Sequence, residues 1–158
     1  MSNKFSSIFG QILQIFSKVE FYKAVMETGA EKGAKGFSCW QQFVAMLFCQ
    51  VGQAHSLREI CGGLASSLGK IRHLGIESYP NRSTLSYANE HRPWQLYEKI
   101  FYQMLGRCQA LAVGRKKFRF KSRLMSLDAT TIPLCASLFD WARYKQTKGA
   151  VKLHLLLD

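Results

Sequence analysis

Apolar residues recur at helical spacing along the first two thirds of the chain. The template i, i+3, i+4, i+7, i+8 and i+11 predicts amphipathic helices, each of which must bury one face against a partner. It fits four segments, at 5–16, 40–51, 57–68 and 97–108. A shorter helix is predicted over 19–28, and residues 29–36, with three glycines, are predicted to form a loop.

Local signals agree with the starts of two of these helices. Ser38 is followed three residues later by Gln41, and Ser56 by Glu59. Each pair is a capping-box pattern, in which two side chains satisfy each other's free backbone N–H groups. Residues 1–112 are therefore predicted to form a mostly helical domain.

The period of the pattern changes after this domain. A basic connector over 113–121 leads into residues 123–133, where apolar and polar positions alternate, and 150–158 alternate again. Alternation of this kind predicts half-buried strands. The fold class is therefore α+β, with helices first and strands afterwards. The strands of 122–158 are expected to form a loosely held hairpin, because so few strands leave a sheet face uncovered.

Charge narrows the choice of partner. The 158 residues carry 22 Lys and Arg against 10 Asp and Glu, a net charge of +12. This excess predicts a polyanionic partner, with nucleic acid ahead of an anionic membrane. No apolar run reaches the roughly 18 residues of a membrane span. The five scattered cysteines favour reduced thiols over disulfides or zinc, as in a cytosolic protein.

The segment 56–92 has the outline of a helix-turn-helix, although its connector is longer than usual. Its second helix has Leu85 and Ala88 at core positions and hydrogen-bonding side chains of modest length along another face. Such side chains can contact base edges and phosphates. The predicted DNA-binding face consists of Arg82, Ser83, Ser86, Asn89 and Arg92. The alternative is an ordinary solvated surface helix.

The connector supplies a second candidate DNA contact. Six cations fall within nine residues, namely Arg115, Lys116, Lys117, Arg119, Lys121 and Arg123. A row of cations can follow a phosphate backbone and release its counterions, with little sequence preference. A solvated charge run is the alternative.

Asp128 ends an alternating apolar stretch and is followed by Ala129, two threonines and an isoleucine. A carboxylate on a strand is costly to bury unless it is paired or binds a cation. Asp128 is therefore a candidate metal ligand, and a turn-capping role is the alternative. His154 would lie near Asp128 if the two predicted strands pair.

Three stretches carry a family resemblance: Leu127–Ile132, Ser137–Ala142 and Thr147–Asp158. Together they resemble DDE transposases of the insertion-sequence-four group. The resemblance implies that 122–158 begin a ribonuclease-H-like catalytic domain, with Asp128 as its first catalytic, metal-binding carboxylate and Mg²⁺ as its cofactor. Residues 1–112 resemble the small helical domain that precedes it in part of this family. The implied partner is double-stranded DNA at the terminal inverted repeats of the element.

The resemblance is incomplete. The family's second Asp and its Tyr-Arg-Glu-Lys signature do not occur in these 158 residues. We therefore expect that this truncated chain alone does not perform the cutting and joining of DNA. It is still expected to bind DNA, with a homodimer as one candidate form, in the bacterial cytoplasm at the nucleoid. The alternatives are a non-enzymatic DNA-binding regulator and an inert remnant of a transposase gene.

Overall fold

The fold is known from a computed structural model, which describes residues 8–66, 72, 74–112, 125–134, 143–145 and 148–157. The chain divides into two compact units, Met1–Val113 and Gly114–Asp158. Six helices are described in the first unit: α1 (Ile8–Gln14), α2 (Lys18–Thr28), α3 (Cys39–Val51), α4 (Leu57–Ala65), α5 (Arg82–His91) and α6 (Gln95–Ala112). Three strands are described in the second: β1 (Ser126–Leu134), β2 (Arg143–Lys145) and β3 (Lys148–Leu157). The predicted α+β class, with helices before strands, is confirmed; the ribonuclease-H-like fold stays a prediction.

Side-chain caps fix the starts of the middle helices. At α3 the capping box is confirmed, because Ser38 Oγ accepts a hydrogen bond from Gln41 N (3.1 Å) and Gln41 Oε1 accepts one from Ser38 N (2.7 Å). At α4 Ser56 Oγ accepts from Glu59 N, but the Glu59 carboxylate reaches one residue further back and accepts from His55 N (2.8 Å). This backbone hydrogen bond is the main reason why the pKa of Glu59 is lowered.

Helix α3 lies at the centre of the helical core. Its first two turns are buried, and Trp40 meets Phe21 of α2 edge to face, with ring centroids 5.0 Å apart. The indole N–H of Trp40 donates to the Leu74 carbonyl oxygen (2.9 Å), so its one polar atom is satisfied. Edge-to-face pairs of this kind add stabilisation beyond the burial of apolar area.

Helix α6 contacts α2 through one face and exposes another. Leu96 and Ile100 are buried in the core, and two ion pairs, Lys99–Glu27 (2.6 Å) and Arg107–Glu20, join the two helices at their rim. Helix α6 also exposes large apolar side chains, namely Phe101, Tyr102 and Leu111.

The second unit contains an antiparallel sheet in the order β1-β3-β2. The two predicted strands are confirmed, with boundaries shifted by at most three residues. Asp128 lies opposite Leu155 and Ala129 opposite His154. Since residues directly opposite each other share a face and successive residues alternate, this register decides which side chains can meet.

Candidate nucleic-acid interface

Helix α5 is held in the helical unit by a cap and two apolar anchors. Asn81 Oδ1 accepts from Thr84 N (2.8 Å) and begins the helix. Leu85 and Ala88 are buried, as predicted, and α5 contacts both α3 and α4. The helix therefore presents its remaining faces from a fixed position.

The predicted DNA-binding face of α5 divides into two parts. Its C-terminal end is turned towards α3. The Arg92 guanidinium donates to the carbonyl oxygens of Phe37 and Ser38 and to Gln42 Oε1 (3.0 Å). Asn89 Oδ1 accepts from Gln42 Nε2 (2.7 Å). These hydrogen bonds tie both side chains to α3 and the residues before it, with Arg92 half-buried and Asn89 still exposed.

The N-terminal end of the same face points to solvent. Arg82, Ser83 and Ser86 are exposed, although the Ser83 hydroxyl already donates to Asn81 Oδ1 (2.9 Å). The Arg82 guanidinium lies close enough to Cys61 of α4 to lower its pKa, against a larger increase caused by burial of that thiol. Arg82 and Ser86, four residues apart, remain available on one flank of the helix.

A groove of about 410 Å³ runs along the other flank of α5. One wall is the loop from Gly29 to Phe37, which carries Lys32 and Lys35. The second wall includes Tyr87 and His91, whose rings stack with centroids 3.9 Å apart. Sequence reasoning missed this groove. The sequence signal that could have indicated it is the presence of two lysines among the three glycines of residues 29–36.

The separation between α4 and α5 differs from that of a tight helix-turn-helix. Helix α4 ends at Ala65 and α5 begins at Arg82, so sixteen residues lie between them. The usual turn has three or four residues. The two helices do contact each other, as the helices of a helix-turn-helix do. The connection between them, however, is much longer than the turn of that motif.

Asp128 is exposed near the start of β1. The sheet face that carries Asp128 is otherwise largely apolar. On β3, Leu155 lies directly opposite Asp128, and Leu153 lies two residues away on the same face. His154 and Lys152 lie on the other face of the sheet. The strands pair as expected, but the suggestion that His154 approaches Asp128 is wrong, because a side chain one position along a strand points the opposite way.

Residues 4–77 match the family model of a domain of unknown function, DUF4372.

The DUF4372 match covers the first four helices and ends before α5 begins at Arg82. It therefore includes the lysine-bearing loop of the groove and excludes the groove's α5 wall. No curated protein and no solved structure shows a significant match to the chain.

The remaining predicted site residues lie outside the described part of the chain. They are Arg115, Lys116, Lys117, Arg119, Lys121 and Arg123. Within the described residues, no three His, Cys, Asp or Glu side chains are grouped so that they could hold a metal ion. Asp128 alone offers a single carboxylate, whereas two-metal catalysis needs several converging ligands. Mg²⁺ binding therefore stays a prediction, because the described residues do not supply a complete set of metal ligands.

Two further observations concern the cysteines and the helices of the described part. The four cysteines found there, Cys39, Cys49, Cys61 and Cys108, are free thiols. Among the helices that the structure describes, none combines the length and apolar character needed to cross a bilayer.

Proposed function

We propose that the chain is the DNA-binding N-terminal part of a DDE transposase of the insertion-sequence-four group. In this proposal α5 contacts duplex DNA at the terminal inverted repeats of the element, in the bacterial cytoplasm at the nucleoid. The basic connector over 113–121 follows the phosphate backbone, and Asp128 is the first metal-binding carboxylate of a ribonuclease-H-like catalytic domain.

The observation that carries the proposal is the arrangement of α5. The helix is anchored by Leu85 and Ala88 and fixed by Arg92, while Arg82 and Ser86 remain exposed on its surface. A recognition helix needs this combination, since base contacts specify a sequence only if the scaffold holds them in register.

Charge and family context give independent support. A net charge of +12 in 158 residues favours a polyanionic partner. The matched domain, DUF4372, is commonly found in transposase-like proteins. That association concerns the family, and it supports a transposase-related role for this chain.

Binding to terminal inverted repeats, compared with random duplex of the same length, tests the proposal. Arg82→Ala should weaken specific binding by about 1–3 kcal/mol if the guanidinium contacts a guanine, because a bidentate base contact has this magnitude. If Arg82 contacts a phosphate, affinity should fall equally on both duplexes and the salt slope should fall by about 1.

Lys23→Ala is the matched control, since it removes one exposed cation from α2. It should leave the ratio of specific to random binding unchanged. If the wild-type chain binds neither duplex at low salt, the proposal is wrong.

A non-enzymatic DNA-binding regulator could use the same α5 face. The two functions differ in one measurable respect, which is Mg²⁺-dependent nicking of end DNA. Nicking that disappears in Asp128→Asn would establish strand-cutting chemistry in this chain. Specific binding without nicking is expected of a regulator and also of this chain alone, because the second Asp and the Tyr-Arg-Glu-Lys signature do not occur in its 158 residues. Only a positive nicking result therefore separates the two functions.

A further inference from the structure

We infer that the groove between the Gly29–Phe37 loop and α5 binds phosphodiester groups of one DNA strand through Lys32 and Lys35. This inference rests on the proposed function and extends it, since it assigns a role to residues that lie outside the recognition helix. The proposed ligand is the sugar-phosphate backbone of the nucleic acid, which the groove would bind without sequence preference.

The loop is fixed at both ends. At its start Gly29 adopts a left-handed conformation (φ 62°), and Ala30 N donates back to Val25 O (3.2 Å). Near its end Arg92 donates to the carbonyl oxygens of Phe37 and Ser38. A pre-organised loop loses less conformational entropy when its lysines meet an anion.

The orientation of the single acid in the loop reinforces this arrangement. Glu31 Oε1 accepts from Cys39 N (2.6 Å), so this carboxylate is used to tie the loop to the start of α3. Glu31 does not line the groove. The two lysines of the loop therefore line the groove, whereas the carboxylate of Glu31 binds the start of α3.

The lining of the groove is suited to an anion. Its titratable members are the cations Lys32, Lys35 and Arg92, together with Tyr87 and His91. No Asp or Glu lines the groove among the residues that the structure describes. Both lysines are exposed, and neither belongs to any of the ion pairs found in the described ranges. The hydroxyl groups of Thr84 and Tyr87 add neutral hydrogen-bond donors to the α5 wall.

The position of the groove fits duplex DNA. Thr84, Tyr87 and His91 follow helical spacing of three and four residues, so they form one flank of α5. Arg82 and Ser86 lie on the opposite flank, because each residue of a helix turns by about 100°. A helix in the major groove, which is about 12 Å wide, has a phosphate backbone on either side. Lys32 and Lys35 would meet one strand while Arg82 faces the other.

Salt-dependent binding of the full chain tests this assignment. The variant Lys32→Gln/Lys35→Gln should lower the slope of log K against log salt by about 1.8, since each phosphate contact contributes about 0.9. The loss of affinity should be the same on inverted-repeat and random duplex, because phosphates carry no sequence information. Lys32→Arg/Lys35→Arg should retain the wild-type slope.

The matched control is Lys23→Gln/Lys99→Gln, which removes two positive charges from the α2 and α6 surface of the same unit. It should leave the slope within experimental error of wild type. Thermal unfolding of each variant checks that both lysine pairs are dispensable for folding.

The outcomes separate the inference from the proposed function. If the wild type binds DNA and the two glutamine variants have equal slopes, the groove does not hold the backbone and only the inference is wrong. If the wild type binds no duplex, both are wrong. A loss confined to the inverted-repeat duplex would also overturn the inference, because it would indicate base contacts.

Discussion

The helical and strand units bury their apolar residues to different extents. In the first unit, stripes from separate helices meet around Trp40, which is 2% exposed. In the second unit, Leu127 is 68% exposed and Leu156 is 59% exposed. Both faces of the sheet carry leucines, since Leu155 lies on the face of Asp128 and is also exposed. A helix stripe can be covered by one neighbouring helix, whereas a sheet face needs a second layer.

Hydrogen exchange should reveal this difference most strongly. We expect amides in α3 to exchange only on global unfolding, and amides in β3 to exchange through local opening. With a stability of about 5 kcal/mol or more for the helical unit, protection in α3 should exceed that in β3 by at least about a thousandfold. Strong protection of 150–157 in the monomer would show that the sheet is as well supported as the helices.

Trp40→Ala tests whether the helical unit has a single cooperative core. Removal of this buried indole should lower the free energy of unfolding by about 3–5 kcal/mol, through lost transfer energy and a cavity. Trp94→Ala is the matched control, because Trp94 is 65% exposed. Its effect should stay within about 0.5 kcal/mol in denaturant unfolding. Equal losses in both variants would contradict the placement of the core.

Arg92→Ala should have a smaller effect that is specific to the loop. Phe37 O and Gln42 Oε1 lose the donor that Arg92 supplies, whereas Ser38 O keeps the backbone N–H of Gln42 (3.1 Å). An unsatisfied buried acceptor costs about 1–3 kcal/mol. Exchange should also rise in the loop between Gly29 and Gly36. Arg82→Ala should leave stability unchanged within about 0.5 kcal/mol. If Arg82→Ala destabilised the chain and Arg92→Ala did not, the division of the α5 face would be reversed.

A further expected effect concerns stability at alkaline pH. Burial raises the pKa of the Cys39 thiol from 9.0 to about 11. Between these values the unfolded chain releases this proton while the folded chain retains it, so stability falls as pH rises. The contribution is complete below pH 9 and is lost by about pH 11, at no more than about 1.4 kcal/mol per pH unit.

Cys39→Ala should therefore make the alkaline loss of stability less steep, in urea unfolding between pH 8 and pH 11. Cys108→Ala provides the control, because Cys108 is exposed on α6. Burial also raises the pKa of Tyr97, which leaves a residual slope of the same sign in both variants. Identical slopes for the two cysteine variants would contradict the burial of Cys39 as the cause.

Local patterns in the sequence predicted the helices well. The Ser38 and Gln41 pair located the start of α3, and the apolar positions Leu85 and Ala88 identified the buried side of α5. These features depend on contacts within three or four residues. A linear sequence contains that information directly.

The long-range contacts could not be predicted in the same way. Arg92 binds acceptors at Phe37 and Ser38, 55 and 54 residues away. A polar face on a helical wheel does not indicate which of its members a distant loop will occupy. The groove beside Lys32 was missed for the same reason, since it exists only when α5 lies against the loop.

The pairing of β1 with β3 has a consequence for protein engineering. A carboxylate and an imidazole can be brought to one side of this ribbon only by changing the parity of one strand. Deleting a single residue from β1 between Ala129 and Leu134 would not suffice unless the alignment also slipped, because Asp128 would keep its partner Leu155. A one-residue slip of the whole alignment would place Asp128 opposite His154, and it would reverse the side of every β1 residue relative to β3. Insertions and deletions in this segment should therefore be far less tolerated than substitutions.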